Sequence, residues 1–331
     1  MKILLTRSLL DEDIRYISNG LLEIVGNVFQ FVTPKEFNED EISNIAHDVD
    51  VLLGPFVTKK IIASAKKLKL IQVPWTGMDT FNFDIIRDLN VPVCNSHSNA
   101  NAVAEMGIAM ILDLLKKVSY HDRKMRHGNW NRDQKPMDLK AGMLAGKTVS
   151  ILGYGSIGRK MGLILNCFGA KVIGIANHKH DYEEVSKMYL SSEWNIAASQ
   201  ADIFVCTIPL TEKTRCMINT NTISLLKKNS LLVNLSRAEI IEDVALYHSL
   251  LNGHIKGYAS DVWWNTPKRG ETTSVVSLQN KYEELENVVL SPHRAGFVEG
   301  ALPHLDDAIV NIANLIQGKP FKNRVDVFER Y

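Results

Sequence analysis

Residues 148–158 read Thr-Val-Ser-Ile-Leu-Gly-Tyr-Gly-Ser-Ile-Gly, an apolar run closing on Gly153-x-Gly155-x-x-Gly158. TVSIL has the character of a buried strand, and helical periodicity follows to about Phe168. The next apolar run, KVIGIA, ends at Ala176 and reads as a second strand, so the stretch is one βαβ unit. In such a unit the first glycine permits a tight turn, the second lets main chain approach a pyrophosphate, and the third lets the helix lie against the strand. The helix N-terminus adds N–H groups and partial positive charge. A glycine triplet also occurs in ordinary turns. Here the strand, helix and following strand point to a dinucleotide phosphate site at Gly153, Tyr154, Gly155, Ser156, Ile157 and Gly158.

Outward from this unit, ADIFVCTIP, NSLLVNLS, KGYASDVW and NVVLSPH continue a series of strands separated by helices. The first hundred residues form an earlier series, with MKILLT, VFQFVT, DVDVLLGP, LKLIQVP and VPVCN as strands and DEDIRYISNGLLEIV and TKKIIASAKKL as helices. Such alternation predicts parallel sheets covered by helices on both faces. A long helical pattern from about Asn101 to Arg126 links the two series, and the polar stretch HGNWNRDQKPMD follows it. The helix-like EGALPHLDDAIVNIANLIQG and a polar tail complete no further βα unit, so they are expected to pack back onto the first series. The expected architecture is α/β, with two doubly wound parallel-sheet domains. A Rossmann nucleotide domain, residues 101–294, is inserted into a flavodoxin-like substrate domain, residues 1–100 and 295–331, and a catalytic cleft is expected between them.

Composition bounds the function. The 331 residues carry 38 Lys+Arg against 37 Asp+Glu, a formal charge of +1, so no basic excess announces a nucleic-acid partner. A 45% hydrophobic share with 23% charged residues suits a globular protein with large cores. No apolar run reaches the roughly 20 residues of a membrane helix, and the start turns acidic before a signal-peptide core could form, so a cytoplasmic location is expected. Cys94, Cys167, Cys206 and Cys216 lack CxxC spacing, and neither disulfides nor a metal site is expected.

An acidic residue at the end of the second strand normally binds the adenosine ribose 2′-OH. KVIGIA ends instead at Ala176, followed by Asn177, His178, Lys179 and His180. Without the carboxylate a 2′-phosphate meets no repulsion, and Lys179 or a histidine supplies favourable charge, so NADP(H) is expected over NAD(H). The alternatives are that Asp181 reaches back to the ribose, or that the basic cluster is only a solvated turn.

Three further segments place polar residues at strand ends, where ligands of open α/β sheets bind. They are Asn234-Leu-Ser236-Arg237, Ser260-Asp261-Val-Trp263-Trp264 and Ser291-Pro292-His293-Arg294-Ala295-Gly296. With the Gly77-Met78-Asp79 loop, the segment from Asn99 to Glu105, the glycine motif and Pro209-Leu210-Thr211-x-x-Thr214, their order and spacing resemble the D-isomer-specific 2-hydroxyacid dehydrogenase family. That family includes glyoxylate and hydroxypyruvate reductases and phosphoglycerate dehydrogenases, and the resemblance covers nearly the whole chain.

The resemblance implies hydride transfer between NAD(P)(H) and a small anionic 2-oxo or D-2-hydroxy acid. Arg237 matches the arginine that holds the substrate carboxylate and polarises the 2-oxo group, a task suited to a rigid guanidinium fork. His293 matches the general acid and base, as suits a side chain titrating near neutrality. Trp75, Thr76, Gly77 and Asn99 match the substrate side, although Trp75 is equally explained by core packing. Thr207, Pro209, Ser236 and Asp261 join the cofactor side, and Asp261 matches the aspartate that faces the nicotinamide carboxamide. A homodimer is implied as well.

Departures from the family pattern accompany the matches. In DVWWNTP, Thr266 occupies the usual place of a glutamate that pairs with the catalytic histidine. A hydroxyl does not offset an imidazolium charge, so His293 is expected to hold its proton less firmly than in glutamate-bearing relatives unless Glu271 takes over. Ala238-Glu239 replaces the usual glycines, and Arg294 adds a cation that serves either a substrate carboxylate or phosphate or a helix or subunit contact. Two other readings stay open: formate-like hydride donation without acid–base work, and a nucleotide-sensing protein like the corepressors built on this fold.

Overall fold

The computed structural model describes residues 1–87, 89–130, 141–267, 271–273 and 275–328. Contacts divide the chain into two compact units, Met1–Asn99 with Gly296–Tyr331, and Ala100–Ala295.

The first unit begins with β1 (Lys2–Leu5), α1 (Asp11–Val25), β2 (Gln30–Val32), α2 (Glu39–Ile45) and β3 (Val51–Leu53). It continues with α3 (Lys59–Ser64), β4 (Leu70–Gln72) and β5 (Val93–Cys94). All five strands are parallel, in the order β2-β1-β3-β4-β5, the flavodoxin-like arrangement. Their uninterrupted apolar runs are explained by burial on both faces. Leu4, Leu52 and Ile71 pack with Ile42 of α2 and Ile61 of α3. Ile3, Leu5, Val51 and Leu53 face the other way, against Ile17 and Leu21 of α1 and Ile309 and Ile312 near the C-terminus. Each such side chain contributes about 1.5–3 kcal/mol on burial. The polar tail returns to this sheet: Val325 donates its N–H to the Val93 carbonyl at 2.8 Å, beside an antiparallel bridge of Cys94 with Arg324.

The second unit holds α4 (Ala100–Lys116), α5 (Val118–Arg126), β6 (Thr148–Leu152), α6 (Ser156–Cys167), β7 (Lys171–Ala176), β8 (Val185–Leu190) and α7 (Trp194–Gln200). Then come β9 (Ile203–Cys206), β10 (Ser230–Asn234), α8 (Asp243–Leu251), β11 (Ile255–Ser260) and β12 (Val288–Leu290). The seven parallel strands run β12-β11-β10-β9-β6-β7-β8, a Rossmann order extended by one strand. Val149, Ile151, Val205 and Val233 pack with Ile108 of α4 and Met161 of α6; Leu152, Phe204 and Leu232 pack on the opposite face with Ala197 and Leu246. In the chain's last segment, α9 (Asp306–Gln317) belongs to the first unit.

Three local expectations change. The helical pattern from Asn101 to Arg126 is two helices, because Lys117 adopts φ 56°. Asp113 takes the Ser119 N–H at 2.8 Å and its hydroxyl at 2.5 Å, offering the chain a turn in place of a continued helix. Strand β8 was not expected from its sequence. It is an edge strand with half of its residues exposed, so VSKMYL lacks the continuous apolar signature of its neighbours. The final helix starts only at Asp306, since Pro303 opens a short 3₁₀ turn before it. Of the polar stretch 127–138, residues 131–138 lie outside the described residues.

No helix among the described residues is long and apolar enough to cross a membrane. No group of three or more His, Cys, Asp or Glu among them could hold a metal.

Candidate active site

Because the sheet of the second unit is wholly parallel, the ends of β6, β9, β10, β11 and β12 lie side by side on one edge. The glycine loop starts there. Gly153 has φ 102°, and a Cβ on it would lie 2.8 Å from the Thr207 carbonyl carbon. Thr207 closes this contact by donating its hydroxyl to the Gly153 carbonyl at 2.7 Å. A Cβ on Gly158 would lie 2.5 Å from the Gly153 oxygen, so glycine is what lets α6 begin against the turn. Around Gly155, apart from the glycine and its chain neighbours, no protein atom comes within 4 Å of that position. The arrangement fits a dinucleotide: a glycine facing open space, at the start of a helix of 12 residues whose first amides point outward.

Tyr154 belongs to the loop only through its main chain. Its side chain is buried and its hydroxyl donates to Glu184 at 2.9 Å. Its ring occupies the space beside Gly162 and Gly174, where Cβ atoms would collide with it. Burial and the Glu184 carboxylate both hold this phenol well above its usual range.

At the end of β7, Asn177 accepts the Ser191 hydroxyl at 2.7 Å. Lys179 pairs with Glu193 at 3.1 Å, so part of the positive charge read from the sequence is compensated. Hydrogen bonds from the Leu190 N–H and from Lys179 lower the Glu193 pKa. His178 and His180 are exposed. The structure adds a cation that the strand-end pattern did not signal: Arg159, in the first turn of α6, lies 4.6 Å from the centre of the Tyr182 ring, and the His180 ring is 6.1 Å from the same ring. Its position one residue after Gly158 was the available clue.

The next strand ends carry the candidate catalytic side chains. Past β10, Asn234 accepts the Ser236 N–H at 3.0 Å and donates to the Arg237 carbonyl at 2.9 Å, shaping the turn that leaves Arg237 half-buried. The Arg237 guanidinium donates to the Ser236 carbonyl at 2.8 Å. The Ser236 hydroxyl is buried without a hydrogen-bond partner, which suits a polar atom of a bound ligand. In the Pro209–Thr214 loop, the Thr214 hydroxyl donates to the Pro209 carbonyl at 2.7 Å.

Past β12, His293 is exposed and sits at φ 52°, an uncommon conformation for a residue with a side chain. The chain on both sides is pinned to the end of β11. Ser291 donates its N–H to the Ser260 carbonyl at 3.0 Å and its hydroxyl to Asp261, while its carbonyl accepts the Trp263 indole N–H at 2.9 Å. On the far side, Asp261 accepts the Arg294 and Ala295 N–H groups at 2.9 and 2.8 Å. Three donors thus occupy a carboxylate with about four acceptor positions, so a carboxamide would compete for what is left. Thr266 is exposed, and its hydroxyl turns back to the Trp263 carbonyl at 3.2 Å. Glu271 is also exposed.

In the first unit, Trp75, Thr76 and Gly77 follow β4. The Thr76 hydroxyl donates to the Ser96 carbonyl at 2.8 Å and lies 3.3 Å from Asn99 Oδ1, while Asn95 donates to the Thr76 carbonyl at 2.8 Å. These bonds gather the Trp75–Gly77 loop and Asn99 at one sheet edge. Trp75 is half-buried against the core of this unit, so the packing role foreseen for it is present.

Comparison with known proteins bears on the family and the fold. A D-3-phosphoglycerate dehydrogenase of Methanocaldococcus jannaschii is 28% identical over 333 residues, covering 99% of this chain and 60% of that protein. The chain therefore spans about 60% of the length of that relative. A hydroxypyruvate reductase of Thermotoga maritima is 28% identical over 266 residues, 79% of this chain and 83% of that protein. The solved structure of a probable 2-hydroxyacid dehydrogenase from Rhizobium etli, in complex with NADP, HEPES and L(+)-tartaric acid, has a TM-score of 0.79 at 19% identity. It covers 100% of this chain and 99% of that one, and the likeness speaks for the fold. Residues 108–295 match the family described as D-isomer specific 2-hydroxyacid dehydrogenase, NAD binding domain, and the chain belongs to that family.

Proposed function

We propose that the protein is an NAD(P)-dependent oxidoreductase that interconverts a small 2-oxo acid and its D-2-hydroxy acid. The observation that carries this reading is the placement of His293, held at φ 52° with its neighbours bonded to the end of β11, on the same sheet edge as Arg237 and the glycine loop. Uncommon backbone conformations of this kind persist where the surroundings over-determine them, often at reactive sites. When bound, the reduced dinucleotide supplies the hydride that C2 of the oxo acid accepts. Arg237 binds the substrate carboxylate and draws electron density from the 2-oxo group. His293 gives its proton to the carbonyl oxygen as that oxygen gains charge, and takes it back in the reverse direction. Trp75, Thr76, Gly77 and Asn99 are the substrate-binding candidates of the first unit. Gly153–Gly158, Thr207, Pro209, Ser236 and Asp261 are those for the cofactor.

NADP(H) is the proposed cofactor, supported by the absence of a carboxylate at Ala176 and by the nearby Arg159, Lys179 and histidines. Glyoxylate and hydroxypyruvate are the substrates to try first. A homodimer is proposed too, supported by the exposed Val118 and Met125 on α5, with light scattering as its test.

The experiment is oxidation of NADPH and NADH by the full chain with a panel of 2-oxo acids. Turnover that falls at least about 100-fold in His293→Ala supports the assignment. Tight cofactor binding with no turnover on any acid favours a nucleotide sensor, and formate-dependent reduction of the oxidised cofactor favours the formate-like reading.

A further inference from the structure

The sheet edge of the first unit carries a cation that the assignments above do not use. In the order β2-β1-β3-β4-β5, successive strands are added on opposite sides of β1, and ligands of open α/β sheets bind outside the strand ends at that switch. Arg7 lies two residues past β1, and Gly54 directly follows β3. The two meet closely: at φ 132°, a Cβ on Gly54 would lie 3.2 Å from the Arg7 amide nitrogen and 2.6 Å from the Thr6 hydroxyl oxygen. The buried Thr6 hydroxyl has no hydrogen-bond partner. The Arg7 guanidinium carbon lies 4.9 Å from the centre of the Trp75 ring, in the loop that follows β4.

An indole face fixes a guanidinium through its quadrupole and leaves the cationic charge available. Arg7 is exposed and forms no ion pair with a carboxylate among the described residues. Two residues beyond its indole partner is Gly77, in the loop assigned above to the substrate side. A cation held at the ligand-binding switch of a sheet, next to that loop, has the chemistry of an anion receptor.

We propose that Arg7 is a specificity residue that binds a second anionic group of the substrate, carboxylate or phosphate, in addition to its 2-oxo acid. The proposal rests on the reading of the substrate as a 2-oxo acid. Trp75 is then a positioning residue that holds the guanidinium over the loop. The substrates selected carry two anionic groups, and 2-oxo acids with only the one carboxylate bind less well.

The test is titration calorimetry of the full chain with oxidised cofactor present, so that no hydride is transferred to the oxo acid. Two matched pairs separate the anion types: 2-oxoglutarate against 2-oxovalerate, and phosphohydroxypyruvate against hydroxypyruvate. The expected result is a preference on the order of 10-fold to 100-fold for the acid with two anionic groups in at least one pair. Arg7→Gln brings that ratio close to one, whereas a merely structural defect lowers both affinities together and leaves the ratio unchanged. Equal affinities within both pairs in the wild type, a ratio unchanged in Arg7→Gln, or no binding by any of the four acids overturns the proposal. An Arg7-dependent ratio without any reduction of 2-oxo acids by NADPH or NADH would leave the anion site standing and remove the reductase reading.

Discussion

The Asp261 carboxylate accepts the main-chain N–H of Ala295 at 2.8 Å, joining the end of β11 to the far side of the loop that carries His293. Asp261 is buried and also accepts from Arg294 and Ser291, so one side chain determines the path of the chain before and after the histidine. Removing it with Asp261→Ala leaves buried donors unpaired, at about 1–3 kcal/mol each. Thermal unfolding is expected several degrees lower, with turnover falling more than stability alone explains because His293 loses its fixed placement. Wild-type melting and wild-type kcat together would remove this role.

Gly155 and Gly158 separate binding from folding. Gly158→Ala forces a Cβ to within 2.5 Å of the Gly153 oxygen, an overpacking that costs about 1–3 kcal/mol. Gly155→Ala meets no protein atom within 4 Å beyond its own chain neighbours and is expected to melt like the wild type. Its methyl group enters the space read as the pyrophosphate position, so cofactor affinity should fall at least about tenfold, measured by nucleotide fluorescence. Unaltered affinity in Gly155→Ala would place the phosphates elsewhere.

The stability of the first unit is expected to depend on pH through two histidines. Burial lowers the pKa values of His97 and His304, against the opposing charge of nearby Asp307 for the first and Asp13 and Asp306 for the second. Both are therefore neutral in the folded state at a pH where the unfolded chain begins to bind protons. Where the unfolded state holds more protons, stability rises with pH. The contribution is present above the ordinary histidine value of about 6.5 and is lost progressively as the pH falls below it. Denaturation midpoints across pH 5 to 8 should show this slope, and His97→Gln should flatten it; an unchanged slope in that variant would assign the effect to other groups.

The four cysteines should divide into two classes. Cys94 and Cys206 are buried, and desolvation pushes each thiol up to about 12. Cys167 and Cys216 are exposed. At pH 8 a small alkylating agent is expected to modify Cys167 and Cys216 in the native protein and the other pair only after denaturation. Rapid native labelling of Cys206 would mean that β9 opens far more readily than its buried position allows.

The shortness of the Thr266 side chain is open to direct test. Thr266→Glu restores a carboxylate at the family's usual position, where an ion pair with His293 favours the protonated imidazole. The acid-requiring limb of the pH–rate profile for reduction should then move to higher pH. An unmoved profile would show that a carboxylate at 266 does not reach the histidine.

Much of the architecture was legible because burial on both faces of a parallel sheet writes long apolar runs into the chain, as in TVSIL and SLLVN. The glycine spacing around Gly153, Gly155 and Gly158 was legible for a related reason, since a missing Cβ is itself a local property. The edge strand β8 escaped because only one of its sides is paired and half of its residues are exposed. The break at Lys117 escaped because helical periodicity continues through it, while the Asp113 bonds to Ser119 that favour the turn leave no periodic trace.

By itself, the sequence determined the two α/β series and the glycine loop, and it singled out Arg237 and His293 as candidates. Tertiary structure alone decided which partners these and other polar residues meet. It turned the Tyr154 side chain into the core, paired Lys179 with Glu193, directed Asp261 to the His293 loop and laid Arg7 over Trp75. The reason is physical: an apolar pattern depends on residues a few positions apart, whereas a hydrogen bond or charge contact depends on groups that only folding brings within about 3–6 Å.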